Sequence, residues 1–233
     1  MNILIWNCKG TMKPSFCSTI RDLTNFHSPG IVVITETRIG GSRAGEIIRF
    51  LPFDGIHTTD PIGYTRGIWL IWQKKMVDMD VLTTTKKEIQ VKVINTPTSW
   101  LLSSIYGSPR FEERQVLWDN LCYVFVLHNL PWAIVGDFND VLNGLEKLGG
   151  NPINLHRTMA YRNCKNFYNM IDLGFFEPIF TWTNRREITA LIQQRIDRCW
   201  ANPSWNLAFS KANVTHLPRI SSDHCSIFLM SSR

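Results

Sequence analysis

Trp132-Ala133-Ile134-Val135-Gly136-Asp137-Phe138-Asn139 is the stretch that indicates the fold. Its apolar start is typical of a buried strand, and polar side chains follow where that strand ends. A second stretch reverses the order, because Ser222-Asp223-His224 comes directly before an apolar run that starts at Cys225. Polar groups at the ends of buried strands can converge on one point without disturbing a core. Together the two stretches predict a site for a divalent cation and a water that attacks phosphorus.

Composition and charge restrict the class of protein. Hydrophobic residues make up 44% of the 233 residues and charged residues 19%, which indicates a folded globular protein. The net charge of +6 points towards a polyanionic partner, although a mildly basic chain with no such partner fits the charge equally well. The six cysteines form no CxxC pair, which argues against a zinc site. We identify neither a signal peptide nor an apolar run approaching the ~20 residues of a membrane span, so we expect an intracellular protein with reduced thiols.

Apolar periodicity predicts the secondary structure. Short apolar or alternating runs predict strands at residues 3–6, 31–34, 68–72, 89–94, 101–106, 132–135 and 226–230. Apolar spacings of three and four predict helices at residues 14–26, 112–128 and 159–171. This mixture favours an α/β fold with two packed mixed sheets flanked by helices. No repeat or low-complexity segment divides the chain, and we predict one domain over residues 1–233.

Two motif-like segments are not assigned a function. Residues 40–46 superficially resemble a phosphate-binding loop, but Glu46 stands where that motif needs lysine, so we interpret the segment as a plain loop. Residues 137–140 open like an EF-hand calcium loop. Val141 and Leu142, however, occupy the positions that need an oxygen ligand and the turn glycine.

Further polar residues stand at the ends of predicted strands: Asn7 after residues 3–6, Glu36 after residues 31–34, and Tyr106 at the end of residues 101–106. A carboxylate such as Glu36 suits Mg²⁺, which takes one or two carboxylates plus waters and substrate phosphate. Taken singly, Glu36 is better explained as a solvated loop residue, and Asn7 as an asparagine that caps a turn.

Asp137 and Asn139 form the more specific pair. A carboxylate and an amide two residues apart, just past a buried strand, can point the same way. One can then orient or deprotonate a water while the other holds that water or a phosphate oxygen. A simple Asp/Asn turn is the alternative interpretation.

His224 is the candidate for charge stabilisation. Its neutral-range pKa and its carboxylate neighbour Asp223 suit a role at a phosphate, and a protonated His224 could stabilise a pentacovalent phosphorus. A second carboxylate would have to keep it cationic, and Asp197 is the candidate for that partner. Locally, an ion pair of Asp197 with Arg195 or Arg198 is the competing prediction.

The segment Thr181-Trp182-Thr183-Asn184-Arg185-Arg186 combines an aromatic ring, hydroxyls, an amide and two arginines. That composition suits contact with a nucleic-acid backbone or groove, and we predict DNA contacts for Thr181, Trp182, Asn184, Arg185 and Arg186. A strand end followed by a solvated basic loop is an equally weighted alternative.

Six segments resemble the endonuclease/exonuclease/phosphatase superfamily and span the chain from Asn7 to His224. Within that superfamily, segments 180–184 and 201–205 resemble one branch in particular. It is the endonuclease domain that precedes the reverse transcriptase in plant LINE-type (non-LTR) retrotransposons. The six superfamily segments are Trp6-Asn7-Cys8-Lys9-Gly10, Thr35-Glu36-Thr37, Ile105-Tyr106-Gly107, Gly136-Asp137-Phe138-Asn139, Arg195-Ile196-Asp197-Arg198 and Ser222-Asp223-His224.

The resemblance implies a DNase I-like four-layer α/β sandwich with its site at the strand ends. It implies Glu36 as the chief Mg²⁺ ligand with Asn7 and Asp223 beside the metal, Mn²⁺ being an alternative ion. The other roles it implies are Asp137 for the attacking water, Asn139 for alignment, Tyr106 for the phosphate and Asp197 as partner of His224.

Two departures from the family matter. Lys9 stands where the apurinic-site branch carries aspartate, which argues against abasic-site repair and a second metal contact. No reverse transcriptase follows Arg233, so the chain is interpreted as a fragment, a decayed copy or a retained domain.

These patterns lead to one main prediction of function and two alternatives. We predict a monomeric Mg²⁺-dependent DNA endonuclease that makes single-strand nicks and therefore has access to the nucleus, with no membrane or protein partner inferred. The alternatives are a phosphatase or phosphodiesterase acting on a phosphoinositide or sphingolipid, and an inactive nucleic-acid-binding remnant.

Overall fold

Two six-stranded sheets form the centre of the structure, a computed structural model that describes residues 1–61, 67–94 and 98–231. In spatial order, the first sheet comprises β14 (Asn213–His216), β15 (Ser226–Met230), β1 (Asn2–Asn7), β2 (Ile31–Thr35), β4 (Ile68–Trp72) and β3 (Gly55–Thr58). The second comprises β10 (Ile171–Asp172), β13 (Asp197–Ala201), β8 (Trp132–Asp137), β7 (Trp100–Tyr106), β6 (Glu88–Ile94) and β5 (Asp78–Thr84).

Each sheet contains one parallel pair. In the first sheet β1 and β2 run parallel, and in the second β7 and β8 do, while the remaining neighbours pair antiparallel. A third, three-stranded sheet is formed by β11 (Trp182–Thr183), β12 (Gln193–Gln194) and β9 (Lys147–Leu148). The polar ends of the parallel strands meet at one edge of the sandwich, because parallel neighbours end on the same side.

The core lies in three layers. Apolar side chains of both sheets, such as Ile5, Val33, Val91 and Val135, pack against one another between the sheets. Helices α1 (Phe16–His27) and α2 (Gly41–Ile48) cover the outer face of the first sheet. Helices α3 (Phe111–Leu127) and α4 (Leu155–Phe167) cover the outer face of the second, and a short α5 (Pro203–Ala208) precedes β14. This arrangement confirms the predicted four-layer sandwich of two mixed sheets.

The structure corrects several local predictions. Residues 40–46 are not a plain loop, because most of them belong to α2, whose buried Ala44 and Ile48 pack on the first sheet. Helix α4 begins four residues before the predicted start, since the Asn154 side chain accepts a hydrogen bond from the backbone N–H of Arg157 at 3.1 Å and caps it. Its predicted last residue, Ile171, lies in strand β10 instead.

Eight strands of the described residues were not predicted: β3, β5, β9, β10, β11, β12, β13 and β14. The most consequential of these is β13, which is buried along its whole length and carries Asp197 at its start. Two of its five residues, Asp197 and Arg198, are charged, so the sequence shows no continuous apolar run there. Among the described residues, no helix is both long and apolar enough to cross a membrane.

Candidate active site

The ends of six strands bring the predicted site residues together. Asn7 is the last residue of β1, and Glu36 follows β2 directly. Tyr106 and Asp137 end the parallel strands β7 and β8 and are paired with each other in register. Asp197 begins β13 opposite Asp137. His224 lies two residues before β15 begins.

A cleft of about 330 Å³ opens at this edge. Most of the predicted catalytic and metal-binding residues line it directly, whereas Asn7 and Asp197 lie behind them and contact them through hydrogen bonds. The lining residues are Lys9, Glu36, Tyr106, Pro109, Asp137, Asn139, Trp182, Gln194, Ile196, Asp223 and His224. The sequence did not predict a role for Pro109, Gln194 or Ile196, and carried no local signal for them.

The Glu36 carboxylate, which lines the cleft, contacts three neighbours among the described residues. Its Oε1 accepts hydrogen bonds from Asn7 Nδ2 at 3.2 Å and from the Tyr106 hydroxyl at 3.2 Å. Its Oε2 lies 3.3 Å from the Arg38 guanidinium. The side chain is buried, and Glu36 itself has a left-handed backbone (φ 56°), which turns the carboxylate away from the line of β2. Glu36 is therefore fixed in place before any ligand binds.

Asp137 is surrounded by hydrogen-bond donors. Its Oδ1 accepts from the backbone N–H of Asn139 at 2.9 Å, and its Oδ2 accepts from Asn7 Nδ2 at 2.9 Å and Asn139 Nδ2 at 3.0 Å. Burial raises the pKa of Asp137 well above its usual range, and the nearby Asp197 carboxylate raises it further. Raised basicity suits a carboxylate that takes a proton from water.

Gly136 is required at its position. It has φ +140°, and a Cβ there would lie 2.0 Å from the backbone oxygen of Ile105 on the neighbouring strand. The close approach of β7 and β8 next to Asp137 therefore depends on a residue without a side chain.

His224 and Asp197 form a buried pair, with 2.8 Å between Nδ1 and Oδ2. Burial alone would lower the pKa of His224, but the adjacent Asp197 carboxylate outweighs it and raises the pKa to about 9. With Nδ1 bound to Asp197, Nε2 is the ring nitrogen left to donate to a ligand. Arg195 and Arg198 do not compete for Asp197, because both are paired with Glu146 and Asp172.

Asp197→Asn should lower the His224 pKa by about 1–3, because the neutral amide no longer favours the imidazolium. The folded-state pKa lies above the ordinary 6.5, so the pair stabilises the fold fully below pH 6.5 and loses that effect as the pH rises through about 9. An NMR titration of the His224 ring, without divalent ions, measures the change. His27, whose pKa is lowered by burial with no contribution from Asp197, serves as internal control, and an unchanged His224 titration would remove Asp197 from this role.

Three possible ligand atoms of Glu36, Asp137 and His224 lie within 4.8 Å of one another. The two carboxylates suit a hard cation such as Mg²⁺, whereas an imidazole is more typical of zinc and other transition metals. Because His224 is engaged with Asp197, Glu36 and Asp137 fit Mg²⁺ best. The donor set at this edge is therefore compatible with a divalent cation.

Asp223 and Asn7, the other predicted metal ligands, have different contacts in the structure. Asp223 Oδ2 forms an ion pair with Lys9 Nζ and accepts from Trp182 Nε1 at 3.2 Å. Asn7 turns its amide nitrogen to Glu36 and Asp137, and its Oδ1 accepts the backbone N–H of Lys9 at 3.2 Å. Their roles as ligands stay predictions.

The predicted DNA-binding segment belongs to the hairpin of β11 and β12, which contacts the loop that carries His224. Thr181 is fully buried, and its hydroxyl accepts from the backbone N–H groups of Ile196 and Asp197 at 3.0 Å each. The Asn184 side chain likewise serves the hairpin itself, donating to the Ala190 carbonyl at 2.8 Å. Trp182 forms a backbone bridge with His224 and lines the cleft.

The two arginines of this hairpin differ. Arg185 has a left-handed backbone (φ 55°), and its guanidinium donates to the Ser222 carbonyl. Arg186 is exposed, and only its backbone N–H is held, by Asn184 Oδ1 at 3.3 Å among the bonds described. Arg185 is exposed as well, so the two differ in that the Arg186 guanidinium makes no contact among the bonds described.

The fold and the site together define the class of protein. The chain belongs to the endonuclease/exonuclease/phosphatase family, whose sequence pattern matches residues 4–224. The match covers most of the chain and confirms the predicted superfamily. No curated protein sequence matches the chain.

Solved structures share the fold over nearly the whole chain. The endonuclease domain of TRAS1, a telomere-specific non-LTR retrotransposon, is similar with a TM-score of 0.72 and 14% identity, covering 98% of this chain and 96% of that one. The AP endonuclease LMAP from Leishmania major has a TM-score of 0.78 at 13% identity, covering 100% and 87%. The 3′ phosphatase NExo from Neisseria, bound to a product DNA hairpin, has a TM-score of 0.71 at 15% identity, covering 100% of both chains.

Proposed function

We propose that this protein is a Mg²⁺-dependent DNA endonuclease that makes single-strand nicks and descends from a plant LINE-type retrotransposon. The observation that carries the proposal is the convergence of Glu36, Asp137 and His224, whose possible ligand atoms lie within 4.8 Å of one another. We propose that it acts as a monomer with access to the nucleus, where its DNA substrate lies.

Asp137 is assigned to the attacking water. Buried among donors and with a raised pKa, it accepts a proton more readily than an exposed carboxylate. Asn139 Nδ2 donates both to Asp137 Oδ2 at 3.0 Å and to the Gly107 carbonyl at 2.8 Å, which fixes its orientation. A water placed between these two residues would be aligned with the phosphorus.

His224 is assigned to the phosphate oxygens. Held cationic by Asp197, its Nε2–H donates to the charge that develops on the pentacovalent phosphorus. The Tyr106 hydroxyl, 3.2 Å from Glu36, is placed to contact the phosphate or its leaving oxygen. When bound at Glu36, Mg²⁺ would neutralise charge on the phosphate as a Lewis acid.

Three observations favour DNA over a lipid phosphate. The chain carries a net charge of +6, and exposed Arg186 lies on a hairpin that contacts the loop carrying His224. The similar structures include an endonuclease domain of a retrotransposon and an enzyme bound to a DNA hairpin. These resemblances support the choice of substrate, which the fold alone does not determine.

Nicking of supercoiled plasmid tests the proposal. We expect conversion to the open circle with Mg²⁺ and none with EDTA, and the same absence for His224→Gln with Mg²⁺. Phosphate release from a phosphoinositide or hydrolysis of sphingomyelin, without nicking, would favour the lipid alternative. DNA binding without hydrolysis of any of these substrates would identify an inactive remnant.

Arg186→Ala should flatten the choice of cut site. A junction between an A-tract and a flexible pyrimidine–purine step should be nicked more readily than GC-rich duplex, because a narrow minor groove attracts arginine. Losing one phosphate or groove contact should also reduce the slope of log affinity against log salt by about 1. Nick mapping and binding at several salt concentrations measure both effects.

Two further variants serve as comparisons. Arg49 is an exposed arginine at the end of α2. Arg49→Ala should change neither the cut-site preference nor the salt dependence of binding. Arg185→Ala should instead lower turnover, because Arg185 holds the Ser222 carbonyl beside the site. A preference for abasic sites, or an unchanged cut pattern in Arg186→Ala, would contradict this account of specificity.

A further inference from the structure

Lys9 is a charged residue of the cleft to which the proposed chemistry assigns no task. It follows β1 by two residues and has a left-handed backbone (φ 55°), a conformation that L side chains rarely adopt. Its backbone N–H donates to Asn7 Oδ1 at 3.2 Å, and Gly10 continues the turn with φ 107°. This turn carries the Lys9 side chain into the cleft beside Glu36, Asp137 and His224.

The ammonium group of Lys9 forms an ion pair with the Asp223 carboxylate. Lys9 Nζ and Trp182 Nε1 both donate to the same oxygen, Asp223 Oδ2. One oxygen of the Asp223 carboxylate is therefore already occupied by two donors from the chain itself.

The possible metal ligands of the cleft are other residues than Asp223. Within the described ranges, the cluster of ligand atoms consists of Glu36, Asp137 and His224 and does not include Asp223. An ammonium offers three donors, and the Lys9 side chain is 45% exposed. Lys9 can thus keep its bond to Asp223 and still donate to an anion in the cleft.

We propose that Lys9 is a resident cation that holds Asp223 in place of a divalent ion and presents its ammonium to the phosphodiester. The cleft then takes one divalent ion, at Glu36, and Asp223 is a positioning residue for Lys9 and Trp182. This inference rests on the proposed function for its substrate, a backbone phosphodiester. It replaces the predicted metal contact of Asp223 with an ion pair inside the chain.

Mn²⁺ binding to the protein without DNA tests the inference, with free Mn²⁺ measured by electron paramagnetic resonance. We expect one ion per chain for the wild type, Lys9→Arg and Asp223→Asn. Asp223→Asn should keep the wild-type affinity, whereas loss of a true ligand would weaken it by about 10-fold or more. Lys9→Met should bind a second, weaker ion, and the double variant Lys9→Met with Asp223→Asn should return to one.

Lys13→Met is the matched control. Lys13 Nζ joins the same two loops, donating to the carbonyls of Cys8 at 3.0 Å and Ser221 at 3.3 Å, but contacts no carboxylate among the bonds described. The variant should bind one ion. With DNA, Lys9→Met should reduce the slope of log affinity against log salt by about 1, and Lys9→Arg should restore it.

Several outcomes would overturn the inference: no ion or two ions in the wild type, weakened Mn²⁺ affinity in Asp223→Asn, or one ion in a folded Lys9→Met. Should circular dichroism show that Lys9→Met does not fold, Asp223→Asn and Lys9→Arg decide the question. A wild type that binds one Mn²⁺ but nicks no DNA would contradict the proposed function alone, because the binding experiment uses no DNA.

Discussion

Asp137→Asn is expected to reduce the rate of DNA nicking by about 10²–10⁴-fold, the range that a general base contributes. The amide cannot take a proton from the attacking water, although it has nearly the shape of the carboxylate. Asp137 is the acceptor in all three of its hydrogen bonds. At least one of them is therefore lost when an amide nitrogen replaces a carboxylate oxygen. The loss of rate is therefore expected with only a modest change of stability.

The pH dependence of stability distinguishes the wild type from this variant. The pKa of Asp137 is raised in the folded state, so ionising it destabilises the fold. That destabilisation is absent below the unfolded-state pKa of about 3.9 and grows as the pH rises towards the folded-state pKa. Without divalent ions, wild-type stability should therefore fall across this interval by more than that of Asp137→Asn.

Plasmid nicking and thermal unfolding between pH 4 and pH 9 measure the two effects. Asp22→Asn, the same chemical change on the exposed face of α1, is the control and should alter neither. Nicking by Asp137→Asn at more than a tenth of the wild-type rate would remove Asp137 from the role of base.

Arg198→Met should lower the free energy of unfolding by about 3–5 kcal/mol, because it leaves buried carboxylates without their partner. Arg198 is fully buried, and its NH1 lies 2.9 Å from Glu146 Oε1 and 2.8 Å from Asp172 Oδ2. Its NH2 also donates to the Arg195 carbonyl at 2.7 Å. In a chain of this size the loss corresponds to a fall in Tm of about 10 °C.

Arg198→Met should also change how stability depends on pH in the acid range. Burial opposes ionisation of Glu146 and Asp172, yet hydrogen bonding and charge from Arg198 outweigh it and lower both pKa values. Their contribution is present above the unfolded-state pKa values of about 4 and is lost as the pH falls through the lowered ones. Arg198→Met should therefore unfold at a higher pH than the wild type on acidification.

Arg110→Met is the matched control. Arg110 is 79% exposed in its side chain and pairs with Glu113 at 3.3 Å, so its loss should cost less than about 1 kcal/mol. Denaturant unfolding at neutral pH compares the three proteins. Equal stability of Arg198→Met and Arg110→Met would show that the buried network contributes no more than a surface pair.

The strand ends were accessible from the sequence because their signal is local. A buried strand needs a continuous apolar run, and a polar residue at its end indicates where the backbone leaves the core. This reasoning predicted the sandwich and located Asn7, Glu36, Asp137 and His224 at strand ends. The roles assigned to these residues stay predictions, which the variants above test.

The sequence did not predict in this way which buried charged residues pair with each other. Asp197 is flanked by Arg195 and Arg198, and local proximity favoured an ion pair between them. Adjacent residues in a strand point to opposite faces, so Arg198 turns to Glu146 and Asp172 while Asp197 turns to His224. Partners of buried charges are selected by the packing of whole sheets, and that packing lies beyond local sequence.

The sequence by itself determined the class of fold, the family and the edge of the sandwich at which a site would form, because apolar periodicity and strand-end residues act over short distances. Only the tertiary structure decided that Asn184 serves its own hairpin and that Lys9 meets Asp223 across 214 positions of chain. Side chains of the same kind can bind a ligand or a neighbouring loop. Which of the two they bind depends on the distances that folding creates between remote segments.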